Sequence, residues 1–236
     1  MDLHNKVAVL TGASSGLGSA LAKALVQEGV VVYGLARNRD RLTQLREQLG
    51  TNFHPVRMNL ADRQMLSHWV EDTFSLDYGP DILINNAGVG GFEKIDEMQP
   101  DYWLQMVDVN LNGTYFITAQ LAALMKQKQG HQHIVNIGSI LGTVARSEGA
   151  AYCATKFAIS GFSEALFKEL RFYQIKVTCV NPGSIATDFF ASSGITKHAH
   201  MLQPDELADT ILYVLKTPDN MLINELTVRP LNPKAP

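Results

Sequence analysis

The opening of the chain constrains its fold more than any other stretch. Lys6 to Leu10 is a short, mainly apolar run of strand character that leads into Thr11-Gly12-Ala13-Ser14-Ser15-Gly16-Leu17-Gly18, and Ala20 to Gln27 then carries helical periodicity up to Gly29. Strand, glycine-rich turn and helix in that order begin an α/β chain. Such a turn lets the backbone approach a bound diphosphate, and the helix behind it offers free N–H groups at its positive dipole end. The spacing is Gly-x-x-x-Gly-x-Gly rather than the G-x-G-x-x-G fingerprint. A tight βα turn with no ligand would satisfy the same residues.

The remaining segments repeat the alternation. Strands are expected at Val30–Ala36, His54–Met58, Asp81–Ile84, His133–Ile137, Lys176–Val180 and Met221–Val228. Between them fall an amphipathic segment to about Phe74 with Asp62 as N-cap, a long helix over 101–128, a helix over 150–173 and a last helix over 204–216. Asp81-Ile82-Leu83-Ile84 is apolar without interruption, as in a strand buried on both faces. A parallel sheet flanked by helices is the economical fold. The polar, small-residue stretch over 184–203 reads as a mobile lid.

The end of the second strand bears on which dinucleotide would fit. An acidic residue there suits a ribose 2′-hydroxyl and an arginine suits a 2′-phosphate. The chain has Arg37-Asn38-Arg39, with no acid until Asp40, which favours NADP over NAD. The same arginines could instead decorate a solvated helix start. Asn85-Asn86-Ala87-Gly88 closes the fourth strand, where small side chains leave room for a cofactor and the asparagines could equally tie down a turn. Asn110 interrupts the apolar pattern of the long helix, as a local irregularity or as a site residue.

Ala151-Tyr152-Cys153-Ala154-Thr155-Lys156 carries the chemistry. On a helix Tyr152 and Lys156 share a face, and a nearby ammonium pulls a phenol below its usual value of about 10. A tyrosine tuned in this way can pass a proton to or from a substrate oxygen. Ser139, at the carboxyl end of the fifth strand, is placed to hydrogen-bond that oxygen.

Composition narrows the alternatives. With 236 residues, 46% hydrophobic, the chain can bury one large core, and a single domain spanning 1–236 is expected. The formal charge of −3 gives no electrostatic case for nucleic acid or an anionic membrane. The absence of a long apolar run argues against a membrane span, and the start has no signal-peptide pattern, so a cytoplasmic location is expected. Cys153 and Cys179 read as reduced thiols. His131 with His133 and His198 with His200 lack further ligands, so no metal is expected.

Taken together, Thr11-Gly12-(x3)-Gly16-x-Gly18, Asn85-Asn86-Ala87-Gly88, Asn110, Ser139, Tyr152-x-x-x-Lys156 and Pro182-Gly183 with Thr187 closely resemble the short-chain dehydrogenase/reductase family along nearly the whole chain. The resemblance implies a single Rossmann-type domain, a doubly wound parallel sheet of about seven strands with helices on both faces. It implies catalysis by Asn110, Ser139, Tyr152 and Lys156, with Tyr152 as proton donor or base, Lys156 on the nicotinamide ribose, Ser139 on the substrate oxygen and Asn110 holding a water. NADP(H), with NAD as the alternative, would contact Gly12, Ser14, Ser15, Gly16, Leu17, Gly18, Arg37, Asn59, Leu60, Asn86, Ala87, Gly88, Tyr152, Lys156, Pro182, Gly183, Ile185 and Thr187. Asn59 departs from the family's usual Asp at the adenine. The implied substrate is a small carbonyl compound or alcohol, and the implied assembly a homodimer or homotetramer built on the two long helices, with Phe157, Phe162, Leu166 and Phe167 serving either that interface or the core. A dinucleotide-binding protein without turnover is the reading from another class, and the Ser139, Tyr152 and Lys156 trio argues against it.

Overall fold

The computed structural model describes residues 1–193 and 195–232. Gly194 of the expected lid and residues 233–236 of the expected domain lie outside the described residues. β1 (Val7–Thr11) is buried along its whole length and passes through the glycine turn into α1 (Gly16–Gln27). β2 (Val31–Ala36), α2 (Arg39–Leu49), β3 (Phe53–Arg57), α3 (Arg63–Thr73) and β4 (Ile82–Asn85) follow. Asp62 caps α3 as the sequence suggests, its carboxylate accepting from Met65 N at 3.0 Å. The second half contains α4 (Pro100–Val107), α5 (Gly113–Met125), β5 (Gln132–Ile137), α6 (Ala150–Leu170), β6 (Ile175–Pro182), α7 (Pro204–Leu215) and β7 (Glu225–Val228).

The seven strands form one sheet in the order β3-β2-β1-β4-β5-β6-β7, and every pairing is parallel. Successive residues of β1 face opposite cores. Ala8 and Leu10 pack with Leu21, Leu25, Leu42 and Ile211 from α1, α2 and α7, whereas Val7 and Val9 pack with Leu66, Ile117, Leu121 and Leu170 from α3, α5 and α6. Helices therefore cover both faces, which is why the strands read as continuous apolar runs. This is a single Rossmann-like α/β domain. The strand order reverses between β1 and β4, so a crevice opens at their carboxyl ends, where ligands of such sheets bind.

Three expected elements differ. The helix expected over 101–128 is α4 and α5 joined by a π-helical turn, Asp108–Asn112. The Asn110 side chain reaches out of that turn to Val89, and the Asn110 backbone carbonyl accepts from Thr114 Oγ1 at 2.9 Å, so the widened turn is held by bonds other than the helix ladder. The helix expected to reach Tyr173 ends at Leu170 and closes in a 3-10 turn, Arg171–Tyr173, with Gln174 left-handed at φ 59°. The last strand is shorter than 221–228: only Glu225–Val228 pair with β6, against Cys179–Pro182.

His133 is fully buried in β5 and bonds Thr178 Oγ1 at 2.8 Å, while His131 pairs with Asp219 at 3.5 Å. Among the described residues no three His, Cys, Asp or Glu side chains gather where a metal could bind, and no helix is long and apolar enough to cross a membrane. Leu166 is buried, and Phe162 and Phe167 pack partly against the core, whereas Phe157 is exposed.

Candidate active site

The crevice at the β1/β4 switch is a cavity of about 900 Å³. One wall of it is the glycine turn. Gly12 has φ +70°, and a Cβ there would lie 2.9 Å from Ala87 Cα, so only glycine lets the end of β1 press against the loop after β4. A Cβ on Gly18 would run into the Gly12 carbonyl. Thr11 Oγ1 accepts from both Asn86 N and Ala87 N at 3.0 Å, and Asn86 Nδ2 donates to Thr11 O at 2.9 Å. Asn86 thus ties down the turn while it also lines the cavity.

The start of α1 fits a diphosphate. Ser15 occupies the N-cap position without a side-chain cap, and no acidic residue lies in the first turn. The leading N–H groups and the positive end of the helix are left for an anion. Gly12, Ser14, Ser15, Gly16, Leu17 and Gly18 all line the cavity here. Gly18→Ala is expected to abolish dinucleotide binding in a fluorescence titration and to lower the melting temperature, because backbone rather than a flexible side chain blocks the new methyl. Binding unchanged from wild type would count against this geometry.

At the end of β2 the cavity meets Arg37, Asn38 and Arg41. Asn38 is committed to capping α2, accepting from Arg41 N at 3.0 Å. Arg37 is exposed and has no ion-pair partner among the described residues. Asn59 and Leu60 form the neighbouring wall, with Asn59 Oδ1 accepting from Ala61 N at 3.3 Å in a side-chain turn. Ala87 and Gly88, then Pro182, Gly183, Ile185 and Thr187, complete the lining.

Ser139, Tyr152 and Lys156 come together at the far end, all nearly buried. Ser139 Oγ accepts from Leu141 N at 3.1 Å and is close enough to Tyr152 to act on its phenol. Lys156 Nζ donates to Ile137 O at 2.8 Å and lies 5.7 Å from the Tyr152 ring centre. The expected lowering of the phenol by the ammonium does not dominate. Burial pushes Tyr152 well above its ordinary value, with Ser139 acting in the opposite direction. Burial also lowers Lys156 to about 8, which weakens the charge available to stabilise a phenolate.

Asn110 sits behind the cavity rather than in its lining. Its Oδ1 accepts from Val89 N at 2.8 Å, and its Nδ2 donates to Val89 O at 2.8 Å and to Thr155 Oγ1 at 3.1 Å. The side chain therefore joins the loop after β4 to the helix that bears Tyr152 and Lys156.

Two features are missing from the sequence reading. Asn181, fully buried in β6, accepts from Ser139 N at 3.1 Å and donates to Glu225 Oε1 at 2.7 Å, so it fixes the backbone beneath Ser139. Gly138 has no side chain because one would overlap the Asn181 oxygen. Phe189 and Phe190 also line the cavity. Their signal is two adjacent phenylalanines in a stretch that is otherwise small and polar and has no helical or strand period.

The sequence pattern described as short chain dehydrogenase matches residues 6–197. An uncharacterized oxidoreductase of Staphylococcus aureus (strain USA300) is 36% identical over 230 residues, covering 97% of this chain and 99% of that protein. A metagenomic short-chain oxidoreductase solved with NADP superposes with a TM-score of 0.85 at 29% identity, over 98% of this chain and all of that one. The 3-ketoacyl-(acyl-carrier-protein) reductase of Brucella melitensis, solved with NADH, does so with a TM-score of 0.86 at 27% identity, over 97% of this chain and 98% of the other. The match over 6–197, together with an identity above one third along nearly the whole chain, makes this protein a member of the short-chain dehydrogenase family of oxidoreductases.

Proposed function

We propose that the protein interconverts a carbonyl compound and the corresponding secondary alcohol with a nicotinamide dinucleotide, NADP(H) in preference to NAD(H). The observation that carries this reading is that one cavity is lined both by the phosphate-binding turn and by Ser139, Tyr152 and Lys156. When bound, the nicotinamide supplies or accepts the hydride. Ser139 Oγ and Tyr152 Oη hold the substrate oxygen. In reduction Tyr152 delivers its phenolic proton to that oxygen as the carbonyl carbon gains hydride, leaving an alcohol. Lys156, lowered to about 8 by burial, exchanges a proton at Nζ near neutral pH and holds the ribose beside Tyr152. Asn110 and Asn181 position this group, the first through Val89 and Thr155 and the second through Ser139 N.

Burial keeps Tyr152 in its neutral, proton-donating form. That favours reduction, since oxidation needs the phenolate. The relatives solved with NADP and with NADH bind their cofactors on the same fold. In this chain the free Arg37 at the end of β2 supports the 2′-phosphate form. Titration with NADPH and NADH, followed by cofactor fluorescence at fixed salt, tests it. Arg37→Ala is expected to weaken NADPH by about 10- to 100-fold, the worth of a charge-assisted contact, and to leave NADH unchanged. Equal losses for both cofactors would overturn the assignment.

The domain is taken to span 1–236, with 184–203 as its substrate loop. A homodimer or homotetramer paired through α4, α5 and α6 is supported by the exposure of Trp103, Leu104, Tyr115 and Phe157 on those helices. A cytoplasmic location remains part of this proposal.

A further inference from the structure

Tyr152 is enclosed by phenyl rings. Phe190 stands edge-on to it at 5.3 Å between centroids and 84° between planes, with Phe92 at 6.2 Å and Phe189 at 6.0 Å. Phe92 and Phe190 stack on one another at 4.7 Å and 24°. Phe92 belongs to the segment after β4 and the other two to the loop after β6, so the rings meet across the mouth of the site. Met106, Ala151, Val89 and Leu141 pack in the same apolar cluster, and Tyr152 is only 5% exposed. Arg146 is spread over the Phe92 ring at 4.1 Å.

Phe190 O accepts from Ser193 N at 3.0 Å and from Ile195 N at 3.3 Å, in a turn within its own loop. The base of its loop is closed by Ala186 N to Leu202 O and Leu202 N to Ser184 O, both at 2.9 Å. Beyond that base, Phe92 N to Ser193 Oγ at 3.1 Å ties the loop to the body of the domain. A substrate must bring its oxygen to Ser139 and Tyr152, and the group next to its carbonyl carbon then falls beside the Tyr152 ring. Phe190 stands against that ring and lines the same cavity.

We propose that the substrate carries a flat aromatic ring beside its carbonyl or carbinol carbon, and that this ring takes the place of Phe190 between Phe92 and Tyr152. This rests on the oxidoreductase reading above. An aryl ring reproduces the edge-to-face and stacked contacts of Phe190, and a saturated ring of the same size gains only the desolvation. A charged or heavily hydrated group would lose its water against the faces and edges of Phe92, Phe190 and Tyr152, which offer it poor replacement. Phe190 is then both the template for the ligand and its competitor, and the affinity is reduced by the fraction of molecules in which Phe190 occupies the slot.

The test compares acetophenone with cyclohexyl methyl ketone, which differ in the ring's π-system and flatness. Dissociation constants are measured by ligand-observed NMR on the protein saturated with NADP⁺, where binding proceeds without reduction. Acetophenone is expected to bind about three- to tenfold more tightly. Phe190→Ala should tighten acetophenone several-fold, and Phe92→Ala should weaken it by a similar factor. Phe190→Leu, which keeps more of the packing, should shift in the same direction as Phe190→Ala. A ring that merely supported the loop would weaken binding when removed at either position. Equal or tighter binding of the cyclohexyl ketone, or weakening by both Phe190 variants, overturns the proposal. NADPH consumption with both ketones is measured separately. Aryl-selective binding with no turnover of any carbonyl would sink the oxidoreductase reading and leave the ring site standing. Turnover that favours the saturated ketone would do the reverse.

Discussion

Tyr152→Phe is expected to lower the turnover of any accepted carbonyl by about 10²- to 10⁴-fold, the usual contribution of a positioned general acid, while dinucleotide affinity stays within about threefold of wild type. The substitution removes one oxygen and keeps the ring that Phe92, Phe189 and Phe190 pack against, so the cavity wall survives. Single-turnover rates with saturating cofactor, alongside fluorescence titration of the same variant, separate the two effects. Unchanged turnover would remove Tyr152 from the chemistry and with it the proposed reaction. The wild-type protein adds a pH signature. Because burial raises the Tyr152 phenol, carbonyl reduction should hold through neutral pH, and alcohol oxidation should climb with pH as phenolate forms. The reverse dependence would mean that another group carries the proton.

The second large effect is on stability. His133 is fully buried beside Lys176 and the chain's amino terminus, and burial, followed by those two charges, lowers it from 6.5 to about 3. The folded protein therefore holds the imidazole neutral over a range in which the unfolded chain takes up a proton. A group depressed in this way leaves stability intact above pH 6.5 and drains it as pH falls from 6.5 towards 3. At pH 5 the expected loss is about 2 kcal/mol, the 1.5 pH units below the unfolded value at about 1.4 kcal/mol each. Urea midpoints between pH 7.5 and 5 measure it. His54, also lowered by burial, pushes in the same direction, so the comparison with His133→Gln isolates the buried ring. An acid loss in that variant as steep as in wild type would show that His133 is not the cause.

The parts of the fold that could be read from the sequence are those in which local pattern and tertiary role coincide. Ile82-Leu83-Ile84 is apolar because both faces of β4 are covered, and Gly18 is dictated locally by the Gly12 carbonyl six residues before it. Tyr152 and Lys156 share a face by helix geometry alone. What escaped depends on partners far along the chain. The π turn at Asp108–Asn112 is held by Val89 and Thr155, neither of which is marked in the periodicity of residues 101–128. Asn181 acquires its role from Ser139, 42 positions away. The sequence shows the charge beside the Tyr152 phenol, whereas the burial that decides the direction comes from Phe92, Phe189 and Phe190 on two separate loops.

The position of β1 in the sheet also governs how the chain assembles as it is made. One edge of β1 is satisfied early, since Ala8 pairs with Val32, but the other waits for Ile82. Until that much of the polypeptide has emerged, a wholly apolar strand presents a bare row of backbone donors and acceptors, the kind of edge that invites pairing with a second chain. The N-terminal three-stranded unit can form first, yet it stays adhesive until β4 closes it. The strand that leads into the glycine turn is therefore the one whose protection arrives late, and the crevice between β1 and β4 is the last seam of this half of the sheet to form.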